Sequence, residues 1–151
     1  MRLWHKDLIQ VLPDNQLQRQ WKDLVAIVEN IKDSGKPGNP GDPMVNKINH
    51  YNKSHYYNFC CMVCNEMFRR GFDVSEETKA KLFEYVAEEE RQVGASIPHF
   101  QLFEGWHNDR YLVQCFYNLQ EKFDCGVITK EEWEKIRKAV EYIISLRQPI
   151  A

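Results

Sequence analysis

The strongest constraint on this chain is helical periodicity, repeated along its length and closed each time by a breaker. Leu17, Trp21, Leu24, Val25, Val28 and Ile31 recur three and four apart, which puts them on one side of a helix. Pro13-Asp14 supplies a start, so a first helix is expected over Pro13–Ile31. Lys32 to Pro43 holds three glycines and three prolines and reads as a loop. A second helix is expected from Ser54 to Arg70, with Phe59, Met62, Val63 and Met67 facing inward and Gly71 ending it. A third follows from Ser75 to about Gln92, with Glu88-Glu89-Glu90 on a solvated face. The fourth spans Asn108 to Phe123 and buries Leu112, Cys115, Phe116, Leu119 and Phe123, with Gly126 as its stop. Thr129 and Glu132 form a capping box for a fifth, which carries Trp133, Ile136, Val140, Ile143 and Ile144. No segment alternates as a strand. The expectation is an all-α bundle of about five helices, forming a single domain over residues 1–151.

A chain of 151 residues with 43% apolar side chains can bury a core without staples. The net charge of −2 argues against a protein that coats nucleic acid nonspecifically, because such binding comes from phosphate neutralisation. It leaves room for a local basic patch. Five cysteines, three of them in Cys60-Cys61-Met62-Val63-Cys64, do not form an even, spaced disulfide framework. The opening Met1-Arg2-Leu3-Trp4-His5-Lys6-Asp7 lacks the apolar run of a signal peptide, and no stretch is apolar enough to span a bilayer. A reduced, cytoplasmic protein with no membrane partner is expected.

Chemistry has few candidate places. Arg2 is too large for ready removal of the initiator methionine, so Met1 should be retained. An α-amine has a reference pKa of about 7.7–8.0, is partly neutral at physiological pH, and can attack an aldehyde-like carbon to form an imine. Since every chain has such an amine, this alone names no enzyme. From Pro43 to Asn65 there is no acidic residue, while Lys47, His50, Lys53 and His55 stand among Tyr51, Tyr56, Tyr57 and several asparagines. Lysines suit phosphates, asparagines suit base edges, and tyrosines offer stacking faces. The plainer reading makes Tyr56 and Phe59 the start of the second helix's packed face. His50, His55, Cys60, Cys61 and Cys64 lie close together, but no second pair at finger-like spacing completes a zinc site, so no metal is expected. His99 sits in a turn and His107 ahead of the fourth helix.

Three patches carry a family resemblance. The opening Arg2 with the helix Asp14-Asn15-Gln16-Leu17 through Trp21-Lys22-Asp23-Leu24 is one; Met67-Phe68-Arg69-Arg70-Gly71-Phe72-Asp73-Val74 and Asn118-Leu119-Gln120-Glu121-Lys122-Phe123 are the others. Together they resemble the pyrimidine-dimer DNA glycosylases of the endonuclease V type. That resemblance implies an all-α fold and a repair-type glycosylase with an associated abasic-site lyase step, acting on damaged double-stranded DNA without metal or organic cofactor. By position, Met1 would supply the attacking amine and Asp23 the assisting carboxylate. Arg2, Arg19 and Lys22 would meet the DNA, as would Gln16, where the family often places a histidine. At about 100° per residue, Gln16, Gln20 and Asp23 share one shoulder of the first helix, beside its apolar stripe.

The chain also departs from the pattern. Asp23 stands where the family usually has glutamate, Ala26 where an arginine is expected, and the aromatic, lysine-containing tail gives way to the helix around Trp133. The alternative is therefore a non-catalytic member of the same fold that binds nucleic acid or a protein partner.

Overall fold

The structure, a computed structural model, describes residues 1–30, 42–87 and 96–147, with the side chains of 85–87 left aside. Ile31, most of the Lys32–Pro43 loop and the Glu88-Glu89-Glu90 run lie outside the described residues. Within them the chain is all-helical: α1 (Asp14–Glu29), α2 (Lys53–Arg69), α3 (Glu76–Ala87), α4 (Asp109–Asp124) and α5 (Lys130–Arg147). Short 3-10 helices cover Lys6–Val11, Val45–His50 and His99–Gln101.

The helix ends follow their local chemistry. Pro13 caps α1 from outside, its fixed φ leading into the first turn. Gly71 and Gly126 take φ of +84° and +79°, where a side chain would be strained. Each closes its helix with a paired backbone motif: Phe72 N–H reaches Met67 O (2.9 Å) behind α2, and Val127 N–H reaches Lys122 O (2.8 Å) behind α4. The α5 capping box forms as expected, with Thr129 N–H on Glu132 Oε1 (2.9 Å) and Glu132 N–H on Thr129 Oγ1 (3.2 Å).

One cluster of buried side chains links these elements. Leu17, Leu24 and Ile27 of α1, Phe59 and Val63 of α2, Leu82 of α3, Leu112 and Leu119 of α4, and Ile136 of α5 are its centre. Trp133 stacks on Phe116 and Phe123, with ring centroids 5.1 and 5.4 Å away, and so joins α4 to α5. Ile143 is half-buried against the core, whereas Ile144, the next residue round the helix, faces solvent.

Polar groups fix what apolar packing leaves free. The buried Glu66 carboxylate takes Arg69 Nε at 2.8 Å and Arg70 Nε at 2.9 Å. Arg70 in turn donates to Leu12 O (2.6 Å), Gln10 O (3.0 Å) and Asp14 Oδ1 (3.0 Å). The end of α2 thus clamps the junction between the first 3-10 helix and α1. Lys6, also buried, donates from Nζ to the carbonyls of His99 (2.7 Å), Phe100 (3.2 Å) and Leu102 (2.8 Å) and organises that turn. No helix among the described residues is long and apolar enough to cross a membrane. All five cysteines are free thiols.

Candidate active site at the N-terminal segment

Residues 1–5 form an extended segment, held from both sides. Gln20 of α1, almost wholly buried, accepts from Trp4 N–H through Oε1 (2.8 Å) and donates from Nε2 to Arg2 O (2.7 Å). Tyr111 of α4 donates its hydroxyl to Leu3 O (2.5 Å). The Arg2 guanidinium lies 5.1 Å from the Trp4 ring centroid and 4.0 Å from Cys115 Sγ. Three successive residues are thereby fixed, and Met1 is one peptide from the Arg2 carbonyl that Gln20 holds.

Met1 is 42% exposed and lines a cleft of about 500 Å³. One wall is the segment Met1–Leu3; Asp42, Met44 and Val45 form another; α4 supplies Tyr111, Gln114, Tyr117, Asn118 and Glu121. Asp23 is half-buried on α1 and is not part of this lining. Among the described residues its carboxylate makes no hydrogen bond or ion pair, with Met1 or with any other group. Around the α1 axis it falls between Gln20, which grips the terminal segment, and Arg19. Residues three apart on a helix bring their Cβ atoms to about 5–6 Å, so Asp23 flanks the side chain that positions the terminus.

The remaining sequence candidates separate into two groups. Arg19 and Lys22 are exposed on α1, Arg2 and Lys47 are half-buried, and none of the four has a carboxylate partner among the described residues. By contrast Arg69, Arg70, Arg137 and Arg147 are all ion-paired. A cation without a carboxylate partner is available to a phosphate. His50 is exposed, Lys53 is half-buried, and Gln16 is 7% exposed. His55 is occupied structurally: its Nδ1 accepts from Phe103 N–H (3.0 Å), its ring packs against both Tyr51 and Phe103, and burial pushes its pKa down. Tyr56 is buried with its hydroxyl on Leu24 O (2.5 Å), and Tyr57 packs against Phe83. Tyr51 donates to Glu104 O (2.7 Å). These tyrosines are packing residues rather than open stacking faces. Among the described residues no group of three or more His, Cys, Asp or Glu is placed to hold a metal ion.

Sequence reasoning put Gln20 on the right shoulder without giving it a task, and passed over Tyr111, Gln114 and Tyr117. The polar stripe of α4, opposite its apolar face, was the signal available for the last two.

His5 and His107 form a separate buried pair beside this segment, with ring centroids 5.2 Å apart. His5 Nδ1 accepts from Asp7 N–H (3.1 Å) and His107 Nδ1 from Lys6 N–H (2.9 Å). An Nδ1 that accepts carries no proton, so both rings are neutral with hydrogen on Nε2. Neither Nε2 has a partner among the described residues. Burial is the main reason that His5 is lowered to about 4 and His107 well below the usual range. Nearby, Asp7 stays ionised: burial pushes its carboxyl up, but the hydrogen bonds from His99 and Arg147 and the charges around them outweigh this and hold it at about 2.

Comparison with known proteins gives one match. The family model described as pyrimidine dimer DNA glycosylase matches residues 1–80, just over half of the chain and the part that contains the terminal segment, α1 and α2. No curated protein and no solved structure gives a significant match.

Proposed function

The chain belongs to the pyrimidine dimer DNA glycosylase family, a family of DNA repair proteins, and from that premise we propose that it excises a damaged base from duplex DNA through the Met1 amine. The amine's lone pair attacks C1′ of the deoxyribose. The electrons of the glycosidic bond leave with the base, which takes up a proton, and ring opening gives an iminium linking Met1 to the sugar. Loss of a C2′ proton then expels the 3′ phosphate and breaks the strand. The chain's own groups suffice for these steps, as amine catalysis needs no electron acceptor.

The observation that carries this reading is the terminal segment itself. Arg2, Leu3 and Trp4 are pinned by Gln20 and Tyr111, and Met1 stands at a cleft that can admit a sugar. Preorganisation of this kind is what a reaction sensitive to errors of about 1 Å requires. Asp23 is assigned to assist, by stabilising the cationic sugar and relaying protons, because it flanks Gln20 on the same shoulder. Arg2, Arg19, Lys22 and Lys47 are assigned to phosphates, with His50 and Lys53 as outer contacts; His55 and Gln16, packed inside the fold, are given no DNA contact.

One observation favours the rival reading, a binding protein without catalysis: Asp23 lies outside the cleft lining and carries one methylene fewer than glutamate. A strand-cleavage assay on a dimer-containing duplex separates the two. The proposal expects cleavage, its loss by about 10²–10⁴-fold in Asp23→Asn, and recovery or gain in Asp23→Glu. Binding without cleavage, unaltered by either substitution, would establish the rival.

A further inference from the structure

Strand cleavage by elimination needs a base for the C2′ proton, and the cleft that Met1 lines holds two carboxylates, Asp42 and Glu121. Asp42 is already employed: its Oδ1 accepts from Met44 N–H and Val45 N–H, both at 3.2 Å, where the second 3-10 helix begins. Glu121 is exposed on α4, and among the described residues its side chain makes no hydrogen bond or ion pair. Asp23 is not in the lining. Of these three carboxylates, Glu121 is the one that both lines the cleft and keeps its oxygens open. It lies beyond residues 1–80, so the family match gives it no role.

The helix that carries Glu121 also holds the terminal segment. Tyr111, in the first turn of α4, donates to Leu3 O, and Leu112, Cys115 and Leu119 anchor the helix with side chains that are wholly buried. Gln114, Asn118 and Glu121 follow four and three residues apart, so all three share one face of α4, the face in the cleft lining. Side chains on a helix lean toward its N-terminus and cover the preceding turn. The Glu121 carboxylate therefore covers the turn of Tyr117 and Asn118, which also line the cleft, and not the frayed helix end. Arg2 lines the same cleft and supplies a cation. An amine to form the imine, a carboxylate to take a proton and a cation for a departing phosphate thus share a space of about 500 Å³.

We propose that Glu121 is the general base of the strand-cleavage step. The inference rests on the glycosylase reading for the iminium on which it acts. That cation acidifies the C2′–H bond of the opened sugar, and the Glu121 carboxylate takes the proton. The C2′–H electron pair becomes the second bond between C2′ and C3′, and the C3′–O bond breaks with its pair on the 3′ phosphate, which leaves beside Arg2. Glu121, now a neutral acid, returns its proton to water. Asp23 keeps to the earlier step, the departure of the base.

A single-turnover experiment on an abasic-site duplex separates imine formation from elimination. Borohydride-trapped adduct is sorted by whether its DNA strand is intact or cut, and strand cleavage is followed without borohydride. In Glu121→Gln the total adduct should stay within about twofold of the parent while cleavage slows by about 10²-fold or more, so adduct on the intact strand accumulates. Glu121→Asp, which restores a carboxylate, should recover part of the rate. Parental cleavage in Glu121→Gln, or adduct and cleavage lost there in equal proportion, would overturn the assignment. Accumulation of intact-strand adduct in Asp23→Asn or Asp42→Asn instead of Glu121→Gln would overturn it as well. A parent that forms no adduct at all brings down the glycosylase reading and this assignment with it, whereas a parent that traps normally leaves that reading standing whatever Glu121→Gln does.

Discussion

Acidification should destabilise this fold well before its carboxylates titrate, because two neutral imidazoles are locked inside it. In the unfolded chain His5 titrates near 6.5, whereas in the folded chain burial lowers it to about 4. Between these values the unfolded state binds a proton that the folded state refuses, so stability falls as pH falls. The full difference for His5 is roughly 3 kcal/mol, of which about 2 kcal/mol is lost between pH 7 and pH 5. His107 is shifted in the same direction and adds to the loss. Asp7 does not offset it: its folded value of about 2 lies below its ordinary 3.8, so its contribution is intact above about pH 4 and is lost only on further acidification. Against a typical total of about 5–15 kcal/mol, this is a large share. Urea denaturation at pH 7 and pH 5 reads it directly. His5→Asn keeps an acceptor for Asp7 N–H but cannot gain a charge, so its stability should depend less on pH, whatever its absolute value. A parent protein equally stable at both pH values, or a His5→Asn variant with an unchanged pH dependence, would refute the argument.

Two further perturbations probe the supports of the site. Gln20→Ala removes both hydrogen bonds that hold the terminal segment and should cost about 2 kcal/mol in a denaturation series, with strand cleavage falling by more than the change in DNA affinity. Arg70→Ala strips the clamp from Leu12 O and Gln10 O and leaves Glu66 with only Arg69. A loss of about 3 kcal/mol is expected, and Arg70→Lys should recover little of it, since one ammonium cannot reproduce the fork.

What could be read from the sequence is what neighbours decide. Gly71, Gly126 and the Thr129–Glu132 box act within a single helical turn, and all three behave as their residue types require. The helix cores follow from the periodicity of Leu17, Leu24, Phe59, Val63, Leu112 and Leu119. Groups that act across the chain were not legible. Lys6 meets residues 99–102, His107 meets Lys6, Tyr111 meets Leu3, and Arg70 meets Leu12, and no local pattern foretells such pairs. The acid-free stretch from Pro43 to Asn65 reads as a nucleic-acid face in sequence, yet Tyr56 and His55 are held by backbone partners inside the fold. Composition cannot tell an open aromatic ring from a packed one. The exposed ring beside Met1 belongs instead to Tyr117, on a helix far away in sequence.

In the proposed reaction the Met1 nitrogen is the atom that bonds to the sugar. After borohydride reduction of the protein with an abasic-site duplex, proteolysis and mass spectrometry locate the sugar adduct. The adduct should lie on the peptide that begins at Met1, attached at the α-amine. An adduct on a lysine such as Lys22 or Lys47, or none at all with a duplex that the protein binds, would contradict it.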